Sequence, residues 1–135
     1  MSQYIFELEM QVRDYECDME GIVNNANYQH YLEHTRHEFL AAAGISFVEM
    51  RERSIDPVVN RIEINYKMPL RSRDRFVSKL YMRREGIKFV FYQDIYKVSG
   101  ELCIKAVVET VCTTQGRITR GEEFVPYFER FLQQE

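Results

Sequence analysis

Asp18 stands in a run whose side chains could together attack a carbonyl carbon: Tyr15-Glu16-Cys17-Asp18-Met19-Glu20-Gly21-Ile22-Val23-Asn24-Asn25-Ala26-Asn27-Tyr28. A carboxylate on a loop can act as general base or as nucleophile. Gly21 permits a tight backbone turn, and Asn24 or Asn25 is a suitable helix N-cap. A helix that starts there offers unpaired N–H groups and a partial positive charge to a developing oxyanion. A carboxylate on Asp18 beside the free N–H groups of a helix start is therefore suited to hydrolysis. Judged on loop chemistry alone, an Asp in such a place is more often a turn or capping residue.

These residues need elements to hold them. Tyr4, Phe6, Leu8, Met10 and Val12 alternate with Ile5, Glu7, Glu9, Gln11 and Arg13, which predicts a strand over 3–13. The period then changes. Tyr28, Tyr31, Leu32, Thr35, Phe39 and Ala42 form one helical stripe, predicting a helix over 25–43 that Gly44 stops. Ser46 and Glu49 have capping-box spacing, so a short helix over 47–52 follows. Alternation then predicts strands ending at Tyr66 before Pro69, over 75–84, over 87–98 and over 102–109, with turns at Glu85-Gly86 and Ser99-Gly100. Pro126 begins a short helix that runs to Phe131. One long helix against an antiparallel sheet of five or six strands is an α+β architecture. With no linker or repeat, residues 1–135 read as a single domain. One helix covers only one face of such a sheet, so burial favours a homo-oligomer.

Composition excludes other classes. The net charge of −3 gives no electrostatic basis for nucleic-acid binding. No apolar run is long enough to span a bilayer, and Glu7, Glu9 and Arg13 interrupt any secretory signal. Cys17, Cys103 and Cys112 are odd in number and lack CxxC spacing, which fits a reducing cytoplasm and no disulfide framework.

Three histidines tempt a metal assignment. His30, His34 and His37 share one stretch of helix, yet they form no HExxH pattern and lie on a polar face, so a solvated face is the better reading and no metal is expected. Cys17 has no His placed to activate it. Glu33 and Arg36 read either as a surface pair or, less often, with Glu33 turned to the site as a second carboxylate. Tyr28 reads as pocket lining or core. Two basic clusters, Arg71-Arg73-Arg75 and Arg83-Arg84-Lys88, read as phosphate contacts or ordinary charged turns.

With these residues in place, the chain resembles the hotdog-fold acyl-CoA thioesterases of the 4-hydroxybenzoyl-CoA thioesterase-like family. The match is Asp18-Met19-Glu20-Gly21-Ile22-Val23, then Asn27-Tyr28, then Tyr31, Glu33 and Arg36, with Tyr66, Pro69 and Asp74 further on. It runs over about residues 5–130. The resemblance implies a sheet wrapped around one long central helix, an acyl-CoA substrate, and no metal or redox cofactor. It puts the catalytic carboxylate on Asp18 and the carbonyl-polarising N–H on Asn25. Gly21, Val23 and Tyr28 fall beside the substrate, and Arg83, Arg84 and Lys88 are candidates for the coenzyme A phosphates. It also implies a homodimer or homotetramer with sites at the interface. Many relatives carry His after the loop Gly, where this chain has Ile22. Val23-Asn24-Asn25 is similar to acyl carrier protein thioesterases, so the carrier stays open. A non-catalytic acyl-thioester or protein-binding module on the same fold is the other alternative.

Overall fold

The computed structural model describes residues 4–133. Strand β1 (Phe6–Gln11) leads through a 3₁₀ turn at Asp14–Glu16 into helix α1 (Asn25–Ala42), and α2 (Phe47–Glu52) follows. Four long strands come next: β2 (Ile55–Tyr66), β3 (Arg75–Glu85), β4 (Lys88–Lys97) and β5 (Leu102–Thr114). A two-residue β6 (Arg117–Ile118) and the short helix α3 (Val125–Phe128) complete the order. The sheet runs β1-β3-β4-β5-β2, antiparallel throughout, with β6 beside the end of β5. No helix among the described residues is long and apolar enough to cross a membrane.

At 18 residues, α1 is about 27 Å long. It begins where the sequence places it, with Asn24 as N-cap accepting from the Ala26 N–H at 3.0 Å. Its buried stripe is Tyr28, Tyr31, Leu32, Thr35, Arg36, Phe39 and Leu40. Ala42, expected on that stripe, is exposed, because the stripe runs from Phe39 and Leu40 to Ala43, which packs against the core instead. The core divides along the helix. Tyr28, Tyr31, Leu32, Leu70, Phe76 and Ile104 pack around its first half. Phe39, Leu40, Met50, Phe89, Phe91, Phe124 and Phe128 pack around its second.

The strands depart from alternation in one informative place. β2 begins at Ile55, well before the segment that alternates cleanly. A bulge between Val59 and Arg61 shifts the register against β5, so apolar neighbours fall out of period. Pro57 is tolerated because β2 is an edge strand, where a missing N–H costs no ladder bond. The edge is left uncovered: Val58, Val59, Ile62 and Tyr66 are all exposed.

Candidate active site

The loop around Asp18 is built from its own backbone. The Asp18 N–H donates to the Ile22 carbonyl at 2.9 Å, and the Gly21 N–H donates to the Asp18 carbonyl at 3.0 Å. Asp18 Oδ1 accepts from the Glu20 N–H at 2.8 Å. Gly21 takes φ +80°, the left-handed region that glycine enters without penalty. The carboxylate is thus oriented by one oxygen and leaves the other exposed to solvent.

Glu16 ties this loop to the helix start. Its buried carboxylate accepts from the Tyr31 hydroxyl at 2.8 Å and from the Arg13 N–H at 2.8 Å. Its carbonyl accepts from the Asn24 N–H at 3.0 Å and from Asn27 Nδ2 at 2.7 Å. Burial, then the bond to Glu16, raises the Tyr31 phenol well above its ordinary value, so it stays a donor. On the far side, the Val23 N–H donates to the Leu70 carbonyl, and the Leu70 N–H donates to the Tyr28 hydroxyl, both at 2.9 Å. The Asn25 N–H, first in the helix, has no acceptor among the described residues. An exposed carboxylate and an unpaired helix N–H therefore stand on one braced loop.

A groove leaves this helix start along α1. Ala26, Gln29, His30, Glu33 and Arg36 form one wall and Val59 and Ile62 of β2 the other, around about 370 Å³. It shares Glu33, Arg36 and Val59 with a second cavity of about 290 Å³, which ends among Leu40, Phe91, Phe124 and Phe128. Its β2 wall belongs to the edge strand of the sheet.

Comparison with known proteins bears on what this arrangement is for. A family model described as the thioesterase-like superfamily matches residues 12–132. The chain belongs to the thioesterase-like superfamily. Its thioesterase-like sequence is 43% identical over 102 residues to the acyl-acyl carrier protein thioesterase ATL3 of Arabidopsis thaliana, covering 75% of this chain. It spans about half the length of the Arabidopsis relatives it matches, 53% of ATL3 and 51% of ATL2. It is 33% identical over 111 residues to YneP of Bacillus subtilis, provisionally named an acyl-CoA thioesterase, covering 81% of this chain and 80% of YneP. Its fold matches Slr0204 of Synechocystis, a 1,4-dihydroxy-2-naphthoyl-CoA thioesterase, with a TM-score of 0.79 at 17% identity over 87% and 90% of the two chains. The hotdog fold expected from sequence is the fold observed.

Within this thioesterase-like fold, the residues singled out from sequence divide into three groups. Asp18, Gly21, Val23 and Asn25 come together at the loop and helix start. Tyr28 lies in the core, 2% exposed, with its hydroxyl on Leu70 and its ring edge-on to Tyr31 and Tyr66. Arg83, Arg84 and Lys88 lie at the β3–β4 hairpin. Arg75 pairs with Gln11 beside the loop, and Arg84 is nine residues further along β3, about 30 Å away at the strand rise. There Lys88 pairs with Glu109 at 2.5 Å and Arg84 with Glu122 at 3.1 Å. Arg83 rests over the stacked rings of Tyr81 and Tyr92. Arg71 of the other basic cluster bridges to Ile22 on the loop itself. Neither Arg71 nor Arg73 forms an ion pair with a described residue.

Sequence reasoning missed Glu16 and Arg36. Glu16 stood in the Asp18 run with no role of its own. Its signal is the Arg13–Glu16 spacing around a short 3₁₀ turn, where an acid three residues on can accept the N–H at the turn's start. Arg36 is buried and forms no ion pair with Glu33, contrary to the surface pairing their spacing favoured. No group of His, Cys, Asp or Glu among the described residues is arranged to hold a metal.

Proposed function

We propose that this chain hydrolyses acyl thioesters, with acyl-CoA as the substrate class. The carbonyl oxygen lies toward the Asn25 N–H. Asp18 takes a proton from water as the water oxygen bonds to the carbonyl carbon, or bonds to that carbon itself. The C–S bond then breaks and the thiolate leaves, taking up a proton; where Asp18 has attacked, a water then hydrolyses the mixed anhydride, so that either route ends with the free acid and a free Asp18 carboxylate. The helix N-terminus favours the oxyanion through its open N–H and its partial charge, and a lost donor of this kind costs about 2.7–4 kcal/mol of barrier. The groove along α1 takes the acyl chain, and Arg71 and Arg73 are free to meet phosphates at the loop. The observation that carries this reading is the exposed Asp18 carboxylate on a turn braced to a helix start whose first N–H is unpaired.

The uncovered β2 edge supports a homodimer in which β2 pairs with its copy and closes the groove. The three free cysteines fit a reducing, cytoplasmic setting. Acyl carrier protein is the second reading for the carrier, favoured by the 43% identity to ATL3. The test follows free thiol release from short, medium, long and aromatic acyl-CoAs, with wild type and Asp18→Asn. Turnover by wild type that Asp18→Asn abolishes supports the reading. Folded wild type inert toward every acyl-CoA, yet active on acyl carrier protein thioesters, moves the carrier. Ligand binding without turnover on either carrier leaves a binding module.

A further inference from the structure

Arg36 carries a buried charge that no described residue meets with an ion pair. Its side chain is 9% exposed, in the middle of α1. One guanidinium nitrogen donates to Gln93 Oε1 at 3.0 Å, and Gln93 Nε2 in turn donates to the Leu32 carbonyl at 3.0 Å. Gln93 is fully buried and locked by that second bond, so it presents only a neutral oxygen. Arg36 forms no ion pair with any described residue. Burial pulls its pKa below the ordinary value, with Glu33 pulling the other way.

A guanidinium has five N–H donors, and one bond to Gln93 leaves the others open to the groove that Arg36 lines, where water or a ligand can meet them. Buried charge of this kind is costly unless it is paired and hydrogen-bonded. Arg36 also lines both parts of the groove, at their junction. The cavity beyond it has Leu40, Phe91, Phe124 and Phe128 for its apolar walls, with Thr110 among its polar members beside Glu33, His37, Arg51 and Asp56. The Thr110 hydroxyl already donates to the Phe89 carbonyl, so it can only accept from a ligand. An all-apolar acyl chain would leave the guanidinium unpaired in a drier site than before.

We infer that Arg36, held by Gln93, is a specificity-determining residue that pairs with an oxygen on the distal part of the acyl chain, a carboxylate or a hydroxyl. This rests on the proposed thioesterase reading, with the thioester at the Asn25 N–H. Arg36 lies eleven residues further along the helix, about 16 Å on the axis. Its side chain leans back toward the helix N-terminus. The oxygen it meets is therefore well removed from the thioester, near the far end of a medium-length chain. A carboxylate suits the fork geometry best, since both of its oxygens can accept.

The experiment compares kcat/KM for dodecanoyl-CoA, ω-hydroxydodecanoyl-CoA and the mono-CoA thioester of dodecanedioic acid. Calorimetric binding of dodecanedioic acid runs beside it. Wild type is expected to favour an oxygenated chain by at least about tenfold, the effect of one charge-assisted hydrogen bond. Arg36→Met should bring the ratio to near parity. Gln93→Glu should do the same with Arg36 still present, because it supplies an internal carboxylate. The carboxylate and hydroxyl arms separate the two oxygen chemistries. Equal hydrolysis of all three by wild type, or a preference that survives in both variants, overturns the inference and leaves the thioesterase reading standing. No hydrolysis of any, with dodecanedioic acid bound by wild type and not by folded Arg36→Met, overturns the thioesterase reading and leaves Arg36 as an acyl-oxygen receptor.

Discussion

The two ends of α1 are organised by different forces. At its N-terminus the structure is held by directed bonds: Glu16 to Tyr31 and Arg13, Asn27 to the Glu16 carbonyl, Tyr28 to Leu70. At its C-terminus it is held by rings. Phe39 packs edge-on against Phe91 and Phe131, and Phe89 meets Phe124 and Phe128 at 5.2 and 5.8 Å. Hydrogen bonds fix angles and so can aim a carboxylate. Packing fixes volume and so can shape a cavity. The lesson is that rate should be sensitive at one end and stability at the other.

Asp18→Asn should break the comparison most visibly. Activity on acyl-CoA is expected to fall by about 10²–10⁴-fold, the usual contribution of a positioned acid or base. Unfolding free energy should move by no more than about 0.5 kcal/mol, since the side chain is exposed. Thiol release and urea denaturation on the same preparation check both halves. Phe89→Ala is the converse: it should cost about 3–5 kcal/mol of stability, read as a lower denaturation midpoint. A Phe89→Ala protein as stable as wild type would mean that the aromatic end is not the stabilising one.

Tyr31→Phe probes the brace between the two regimes. It leaves a buried carboxylate short of one donor, at about 1–3 kcal/mol. It should also lower kcat more than it raises KM, because Asp18 is displaced while the groove is intact. A purely structural Tyr31 would lower stability and leave the kinetic split unchanged.

The smallest effect concerns the hairpin cations. Lys88, then Arg61, hold the Glu109 carboxyl below its ordinary value. That pairing stabilises the fold above the unfolded carboxylate value of about 4.3, and the stabilisation is lost as pH falls through the lower folded value. Glu109→Gln should therefore show a shallower loss of stability between pH 5 and the acid limit, read from thermal melts across that window. Its turnover at neutral pH should match wild type if the far hairpin takes no part in the site.

How far the sequence reaches follows the same division. The Asp18 turn and the start of α1 were legible because their chemistry is local: an Asx turn, a glycine at positive φ and a side-chain cap all lie within eight residues. Arg36 was not legible. Its spacing from Glu33 imitates a surface pair, and the partner that marks it as buried is Gln93, on a strand far away in the chain. The hairpin cations were read as phosphate contacts or ordinary charged turns, and their distance from the loop was not legible because alternation reveals strands but not their order. β3 runs away from Asp18 along its whole length, so a basic cluster at its far end is remote within one subunit. β2 was read short because the bulge at Val59 destroys the very period that betrays a strand.

The edge position of β2 has a thermodynamic consequence. Val59 and Ile62 line the groove and also stand on a strand that is paired on one side only. If a second copy closes that edge, substrate binding and self-association share the same residues and are linked by mass action. An acyl ligand that prefers the closed groove must tighten the dimer by the same factor by which dimerisation tightens the ligand. Specific activity would then rise with enzyme concentration, and substrate would act as its own assembly factor.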